Sequence, residues 1–461
     1  MGLLLSLLPL IFLCASLTSG KNLPKIGVNY GQLANNLPSP VESVRLIQGL
    51  KAGRVKIYDA NPKILHALKG TDLQVSIMVP NQLISNISTN QTLADLWVQT
   101  NVLPFYPQTL IRYLLVGNEI LSSPDKKTWF DLVPAMRKIR RSLKTHNLPK
   151  VKVGTPMAMD VLQSSFPPSN GTFRPDISVP VMKPLLRFLN RTKSLFFLDV
   201  YTYFPWSTDP KSISLEYALL DETNITYRDP VSDLIYTNLL DQMLDAVVFA
   251  MSKLRYPDIR IFIAETGWPN AGDIDQIGAN IYNAATYNRN LVKKLTAKPP
   301  LGTPVRPKVV YPAFIFSLYN ENEKPGPATE RHWGVKYPNE SAVYELDLSG
   351  KVKEYDDQLP PPTNNEPYNG KIWCVAAEGA NATGLGSALT WTCGQPNISC
   401  DPIQPGKPCY KPGPMVRASF AFSSYWAKYR SSGATCYFEG LAIQTTKDPS
   451  FGSCKFPSVT P

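Results

Sequence analysis

Eight short runs of β-branched and apolar residues recur along the first two thirds of the chain, and stretches of helical periodicity separate them. The runs are Lys25 to Asn29, Arg54 to Tyr58, Gln74 to Val79, Arg112 to Val116, Val151 to Thr155, Phe196 to Tyr201, Arg260 to Ala264 and Val309 to Ser317. Helical patterns lie between them, for example Val41 to Leu50, Trp129 to Leu143, Ser232 to Leu254 and Ile277 to Leu295. Near-continuous apolar strands alternating with helices imply a parallel sheet covered on both faces. Eight such units over about 330 residues fit a (β/α)8 barrel better than an open doubly wound sheet. No phosphate-cradling glycine loop follows the first run, which weakens a dinucleotide-binding alternative.

Cysteine placement divides the chain. Of the seven cysteines, Cys14 lies near the start and the other six, Cys374, Cys393, Cys400, Cys409, Cys436 and Cys454, all follow residue 373. The long cysteine-free part must stand on its own core, and the tail reads as a small α+β module stapled by three disulfides. Six cysteines allow fifteen pairings, and spacing alone does not choose among them. The nearest pair, Cys393 and Cys400, is too widely spaced for a zinc cage. The three histidines, His66, His146 and His332, do not pair at ligand spacing, so neither a metal nor a cofactor is expected.

The first twenty residues read as a secretory signal peptide. Leu3 to Ala15 is an apolar run interrupted by Pro9, and Thr18-Ser19-Gly20 supplies small residues before Lys21. The run is shorter than a membrane span. The final residues, Phe456 to Pro461, lack the hydrophobic tail of a glycosylphosphatidylinositol signal, so no membrane anchor is expected. An exported protein makes Asn-x-Ser/Thr meaningful, and the pattern begins at Asn86, Asn90, Asn170, Asn190, Asn224, Asn339, Asn381 and Asn397. The net charge of +11 is not gathered into a tight patch, which argues against a nucleic-acid partner and for solubility with weak adhesion to an anionic matrix. Between Gly350 and Lys371 the chain is polar, with four prolines and no apolar periodicity. It reads as a linker or an extended strap. The expected organisation is a leader over 1–20, a barrel over 21–352, a linker over 353–370 and a module over 371–461.

Barrel chemistry sits past the C-terminal ends of the strands. There the chain carries Asn29-Tyr30-Gly31, Tyr58-Asp59, Gly117-Asn118-Glu119, Tyr201-Thr202-Tyr203-Phe204, Glu265-Thr266-Gly267-Trp268 and Leu318-Tyr319-Asn320-Glu321. Glu119 and Glu265 follow the fourth and seventh runs directly, among aromatics and amides. Two carboxylates in an aromatic-walled cleft suit glycosidic bond cleavage, one giving a proton to the leaving oxygen and the other attacking or stabilising the anomeric carbon. Two satisfied ion pairs at strand ends is the plainer alternative. The aromatics Tyr30, Tyr58, Phe204, Trp206, Trp268 and Tyr319 are candidates for sugar stacking, about half of them expected to be core. Glu321 and Lys324 are expected to pair at the cleft rim.

Val116-Gly-Asn-Glu119, Ala264-Glu-Thr-Gly-Trp-Pro269, Phe316-Ser-Leu-Tyr-Asn-Glu-Asn-Glu-Lys-Pro325, Ile26-Gly-Val-Asn-Tyr-Gly31 and Phe166-Pro-Pro-Ser-Asn-Gly171 resemble, in order, the motifs of plant glycoside hydrolase family 17, the endo-β-1,3-glucanases. The resemblance spans about Lys25 to Tyr355. It implies a (β/α)8 barrel and a retaining mechanism, with Glu119 as proton donor and Glu265 as nucleophile. It also places Asn118 to hydrogen-bond the sugar 2-hydroxyl. The further candidates for substrate binding are Tyr30, Tyr201, Tyr203, Trp268, Glu321 and Lys324. One departure is Asp199-Val-Tyr-Thr-Tyr203, where the family usually begins with Asn. Near the nucleophile an extra Asp would raise its pKa or shift subsite preference; the favoured expectation is that Asp199 points away from the cleft, with Tyr201 and Tyr203 the sugar contacts.

The tail resembles the family 43 carbohydrate-binding module through Trp373-Cys-Val-Ala376, Trp391-Thr-Cys-Gly394, Ile398-Ser-Cys-Asp401, Gly406-Lys-Pro-Cys-Tyr410, Ala418-Ser-Phe-Ala-Phe422 and Gly452-Ser-Cys454. That resemblance implies β-1,3-glucan binding and a Cys374–Cys436 bridge, with Cys393, Cys400, Cys409 and Cys454 in two more. Arg417 and Ser423 replace the family's usual His and Asn, so affinity falls if those positions touch sugar. The expectation is a secreted, monomeric endo-hydrolase of β-1,3-glucan. Transglycosylation on the same site, and a catalytically weak glucan-binding wall protein, remain as alternatives.

Overall fold

In a computed structural model the described residues are 25–222 and 224–461. The expected leader, with Cys14, lies outside them. Nine parallel strands form one sheet. They are β1 Ile26–Tyr30, β2 Arg54–Ile57, β3 Gln74–Val79, β4 Leu110–Val116, β5 Lys152–Gly154, β6 Pro156–Ala158, β7 Phe196–Asp199, β8 Ile261–Thr266 and β9 Ala313–Ile315. Their order is β5-β4-β3-β2-β1-β9-β8-β7-β6. Only Thr155 separates β5 from β6. The two pieces are therefore one fifth strand that changes partners, pairing with β4 before Thr155 and with β7 after it. Pro156 has no N–H to extend the β4 ladder, which accounts for the break. Counted this way, the ring is an eight-stranded (β/α)8 barrel.

The interior is plugged by Met78, Leu115, Phe197, Phe262, Ala264 and Phe314. Phe197 stacks on Phe262 at 5.2 Å, and Phe262 stacks on Phe314 at 5.0 Å. A second, larger apolar layer lies between strands and helices. Helix Lys126–Thr145 is representative. Asp125 caps its first turn through the Lys127 N–H, and Trp129, Leu132, Val133, Met136, Ile139 and Leu143 face the barrel at helical spacing. The helix expected over Ser232 to Leu254 starts later, at Leu239, because Asn238 caps it and Tyr227–Arg228 pairs with Ile235–Tyr236 just before it.

The tail forms its own core. Strand β10, Trp373–Ala376, pairs antiparallel with β11, Ala442–Thr445, and helices Ala382–Cys393 and Pro414–Tyr429 pack against them. Cys374 is bonded to Cys436, Cys393 to Cys400 and Cys409 to Cys454. Ser423 is fully buried, and its hydroxyl donates to the Cys374 carbonyl at 2.7 Å, so it braces the strand and touches no sugar.

The Pro-rich stretch is a pinned strap. Arg289 pairs with Asp357 at 2.6 Å and lies 4.0 Å over the Tyr355 ring, while Leu359 packs on the barrel core. Asn365 accepts from Asn280 at 3.0 Å and from Asn283 at 2.8 Å, and Asn364 accepts from Asn280 at 2.8 Å. Beyond it, the module rests on barrel loops. Asp275 holds Arg430 at 3.0 Å and accepts from Gln444 at 2.9 Å, and Arg331 lies 3.6 Å over the Tyr437 ring. The eight sequon asparagines are all exposed. No helix among the described residues is long and apolar enough to cross a membrane.

Candidate active site

A cleft of about 470 Å³ opens at the C-terminal ends of the strands. Glu119 and Glu265 both line it, with Asn118, Tyr58, Tyr201, Phe204, Phe316, Trp333, Glu321, Lys324 and Glu330. Glu119 is delivered by a tight left-handed turn after β4, with φ +70° at Gly117 and +49° at Glu119. A Cβ on Gly117 would lie 2.6 Å from the Ile84 and Ile120 side chains, so both φ and space call for glycine. Asn81 clamps the turn, accepting from the Asn118 N–H at 2.8 Å and donating to its carbonyl at 3.0 Å. The Glu119 N–H donates to the Pro156 carbonyl at 3.1 Å, tying the turn to β6.

Glu265, in β8, is almost fully buried, and both carboxylate oxygens are satisfied. Oε1 accepts from Lys56 Nζ at 2.8 Å and from the Tyr58 hydroxyl at 2.6 Å. Oε2 accepts from the Tyr201 hydroxyl at 2.8 Å. Burial alone would push this carboxyl up, but Lys56 and the two phenols hold it below the usual carboxylate range. Glu119 is tuned oppositely. Burial first, then the negative field of Glu265, raises it from 4.5 to about 7. One carboxyl is thus kept protonated beside another kept ionised, the division of labour that acid-assisted displacement at an acetal carbon requires.

Several expected contacts lie elsewhere. Tyr30, Tyr203 and Trp268 are buried behind the cleft wall rather than lining it. Tyr30 packs edge-on against Tyr319, Tyr203 against Trp268, and the Trp268 indole donates to the Gly278 carbonyl at 2.8 Å. Trp206 and Tyr319 are core as well, whereas Tyr58 and Phe204 face the cleft. Glu321 and Lys324 both line the cleft, but no ion pair joins them. Lys324 instead lies 3.9 Å from Glu330, and Glu321 accepts the Leu33 N–H at 2.8 Å. Gly31 makes that approach possible, since a Cβ there would stand 2.2 Å from a Glu321 oxygen. Asp199 is not part of the cleft wall, yet it does not point away. It is buried at the cleft floor, 4.0 Å from Lys56.

Lys56, Trp333 and Glu330 were missed from sequence. Lys56 carried a signal, since with Arg54 it puts two charges into the four-residue strand Arg54-Val-Lys-Ile57, and a fully buried lysine there demands an anionic partner. Glu330 sits in the single 3-10 turn Ala328–Arg331 and Trp333 just beyond it, too short a piece for any periodicity to place them.

Comparison with known proteins agrees with this geometry. Residues 26–348 match the model of glycosyl hydrolases family 17, and residues 372–443 match the X8 domain. The chain is 56% identical over 438 residues to "Probable glucan endo-1,3-beta-glucosidase A6" of Arabidopsis thaliana, covering 95% of this chain and 91% of that relative. It is 35% identical over 449 residues to a glucan endo-1,3-beta-glucosidase of Triticum aestivum, covering 94% and 95%. Among solved structures, CJP38, a beta-1,3-glucanase and allergen of Cryptomeria japonica pollen, superposes with a TM-score of 0.66 at 41% identity, covering 70% of this chain and 99% of that one. One of two plant beta-glucan endohydrolases with distinct substrate specificities gives 0.64 at 31% identity, covering 70% and 99%. A two-carboxylate cleft on a (β/α)8 barrel, a family match over most of the chain and relatives of this identity lead to one assignment: the chain belongs to glycosyl hydrolase family 17.

Proposed function

We propose that this protein is a secreted, monomeric endo-hydrolase that cleaves internal β-1,3-glucosidic bonds in a callose-like glucan and retains anomeric configuration. The observation that carries this reading is the opposite tuning of Glu119 and Glu265 in one cleft. Glu119, protonated on the acidic side of neutral, gives its proton to the leaving glycosidic oxygen. Glu265, ionised and held by Lys56, Tyr58 and Tyr201, attacks the anomeric carbon and forms a glycosyl-enzyme. Water then enters, Glu119 removes its proton, and Glu265 departs. Asn118 adjoins the acid and lines the cleft, which suits a contact with a sugar hydroxyl. Phe204, Phe316, Trp333 and Tyr201 supply the aromatic wall on which pyranose faces stack.

In this reading the chain divides into a barrel over 21–352, a strap over 353–370 and a family 43 carbohydrate-binding module over 371–461 that holds β-1,3-glucan. The deciding experiment follows products from a laminarin-type substrate by chromatography and by proton NMR of the new reducing end. Shorter chains with retained β-configuration are expected. Longer chains would mean transfer, an inverted product would exclude the glycosyl-enzyme, and no product would leave only binding. In the same assay Glu265→Ala should abolish turnover, and added azide should restore a product of inverted configuration. Glu119→Gln should lose most activity on glucan.

A further inference from the structure

Asp199 is a buried acid that the steps above do not use. It ends β7, in register with Ala158 of β6 on one side and Glu265 of β8 on the other. Glu119 is tied to β6 through the Pro156 carbonyl, so the backbone sets Asp199 between the two strands that position the acid and the nucleophile. Its side chain is fully buried, the Glu119 carboxyl is within hydrogen-bonding reach of it, and no N–H or hydroxyl among the described residues donates to either of its oxygens. The one cation facing it, Lys56, stands 4.0 Å away and already donates to Glu265 at 2.8 Å and to the Ala264 carbonyl at 3.2 Å. The other titratable groups facing it are Glu265, Glu119 and the phenols Tyr58 and Tyr201, which already donate to Glu265.

One buried ammonium cannot neutralise two buried carboxylates, and an ionised Asp199 would have the Glu119 O–H as its one possible donor among the described residues. A proton on Asp199 removes the excess charge and leaves Lys56 to Glu265 alone. Burial first, then the field of Glu265, drives the Asp199 carboxyl well above its usual range, with Lys56 acting in the opposite sense.

We propose that Asp199 works as a neutral carboxylic acid, a positioning residue whose O–H is offered to Glu119 once Glu119 has passed its own proton to the leaving oxygen. The inference rests on Glu119 being the acid. In the first step the proton on Glu119 goes to the glycosidic oxygen as the carbon–oxygen bond breaks, and Glu119 becomes a carboxylate facing Asp199. Asp199 keeps its proton and shares it through a hydrogen bond with that new anion. In the second step Glu119 takes a proton from water and the hydrogen bond relaxes. No proton leaves Asp199 over the cycle. The interaction strengthens as charge develops on Glu119, so it acts on the barrier more than on substrate binding.

The test compares Asp199→Leu with Asp199→Asn, since Asn keeps the shape and a donor but carries no titratable proton. On glucan, Asp199→Leu should lower kcat about tenfold or more with little change in KM, the scale of a hydrogen bond to a charged group. Asp199→Asn should recover most of that loss. On an aryl glycoside whose phenol departs without protonation, the Leu defect should shrink. Equal losses on both substrates, or an Asn variant as impaired as Leu, would overturn the proposal. Infrared difference spectra of wild type minus Asp199→Asn at pH 8, above the titration of Glu119, should contain a protonated-carboxyl band. Its absence would mean that Asp199 is ionised, and this measurement decides the matter even if the Leu variant does not fold. Glu119→Gln in the same assays separates the two claims: wild-type glucan hydrolysis by that variant would remove Glu119 as the acid, whatever Asp199 does.

Discussion

Lys56 Nζ lies 2.8 Å from Glu265 Oε1, and both side chains are shielded from solvent. The ammonium holds the proposed nucleophile ionised and fixes one of its oxygens. A neighbouring opposite charge lowers a carboxylate by about 1–3 pKa units. Lys56→Met should therefore move the acidic limb of the kcat/KM profile to higher pH by at least about one unit. The basic limb, set by Glu119, should move much less. A pH–rate series checks both limbs in one experiment, and an unmoved acidic limb would detach Lys56 from the ionisation of Glu265.

The wild-type profile should itself be bell-shaped. Glu119 must be protonated to act as acid, and its carboxyl is raised to about 7, so kcat/KM should fall as pH rises through about 7. Glu265 lies below the usual carboxylate range, so the acidic limb should fall well below neutral. A flat profile between pH 4 and 8 would exclude a carboxylate pair.

The same tuning has a stability cost with a definite sign. The folded pKa of Glu119 is about 7, whereas the unfolded chain's is near 4.5. Below the unfolded value both states hold the proton. As pH rises to 7 the unfolded state ionises first, and stability is lost progressively across that window. Glu119→Gln removes the titration, so its advantage over wild type should be absent near pH 4 and grow to at most about 3 kcal/mol at pH 8. Denaturant unfolding at the two pH values measures it.

The strap changes where the chain can be cut. Truncation after Tyr355 would strip Asp357 from Arg289, leave the Asn280 and Asn283 amides only the Gly278 carbonyl, and orphan the buried Gly278 N–H, which donates to the Asn364 carbonyl at 2.7 Å. Each buried group so orphaned costs about 1–3 kcal/mol. Truncation after Gly370 keeps every one of these bonds. Thermal unfolding should show the longer barrel close to full-length stability and the shorter one clearly below it.

Mild reduction addresses the other end. All three bridges join residues between Cys374 and Cys454, and the described barrel contains no cysteine. A module of about 90 residues leans on its staples, whereas a barrel of about 330 does not. Hydrolysis of short oligosaccharides should survive reductant, and retention on insoluble β-1,3-glucan should fall. Parallel loss of both would make the module part of the catalytic fold.

The architecture was legible because a covered parallel sheet writes itself as apolar runs, and all eight runs contain strand. What the runs hid was local. Pro156 splits the fifth strand, and the eighth shrinks to Ala313–Ile315 behind Pro312. The placement of Glu119 and Glu265 in one cleft was legible because both carboxylates stand at the C-terminal ends of apolar strands of one barrel. Tyr203 and Trp268 were not, since an aromatic beside a strand end serves core and cleft equally well. Tyr203 finds Trp268 and Trp206 to pack on, and no local pattern announces that. Asp199 and Lys56 become intelligible only together, once the register sets both beside Glu265.

The strap also makes the separation between cleft and module a fixed quantity. Freely moving residues would let the module seize any nearby stretch of polymer and raise local concentration without regard to direction. A segment fastened at Arg289, Asn280 and Asn283, with the module seated on Asp275 and Arg331, behaves as a gauge. With glucan held at both ends, only strands lying at one spacing and angle can occupy cleft and module together. The enzyme would then discriminate between arrangements of chemically identical chains, a property that no soluble oligosaccharide can reveal.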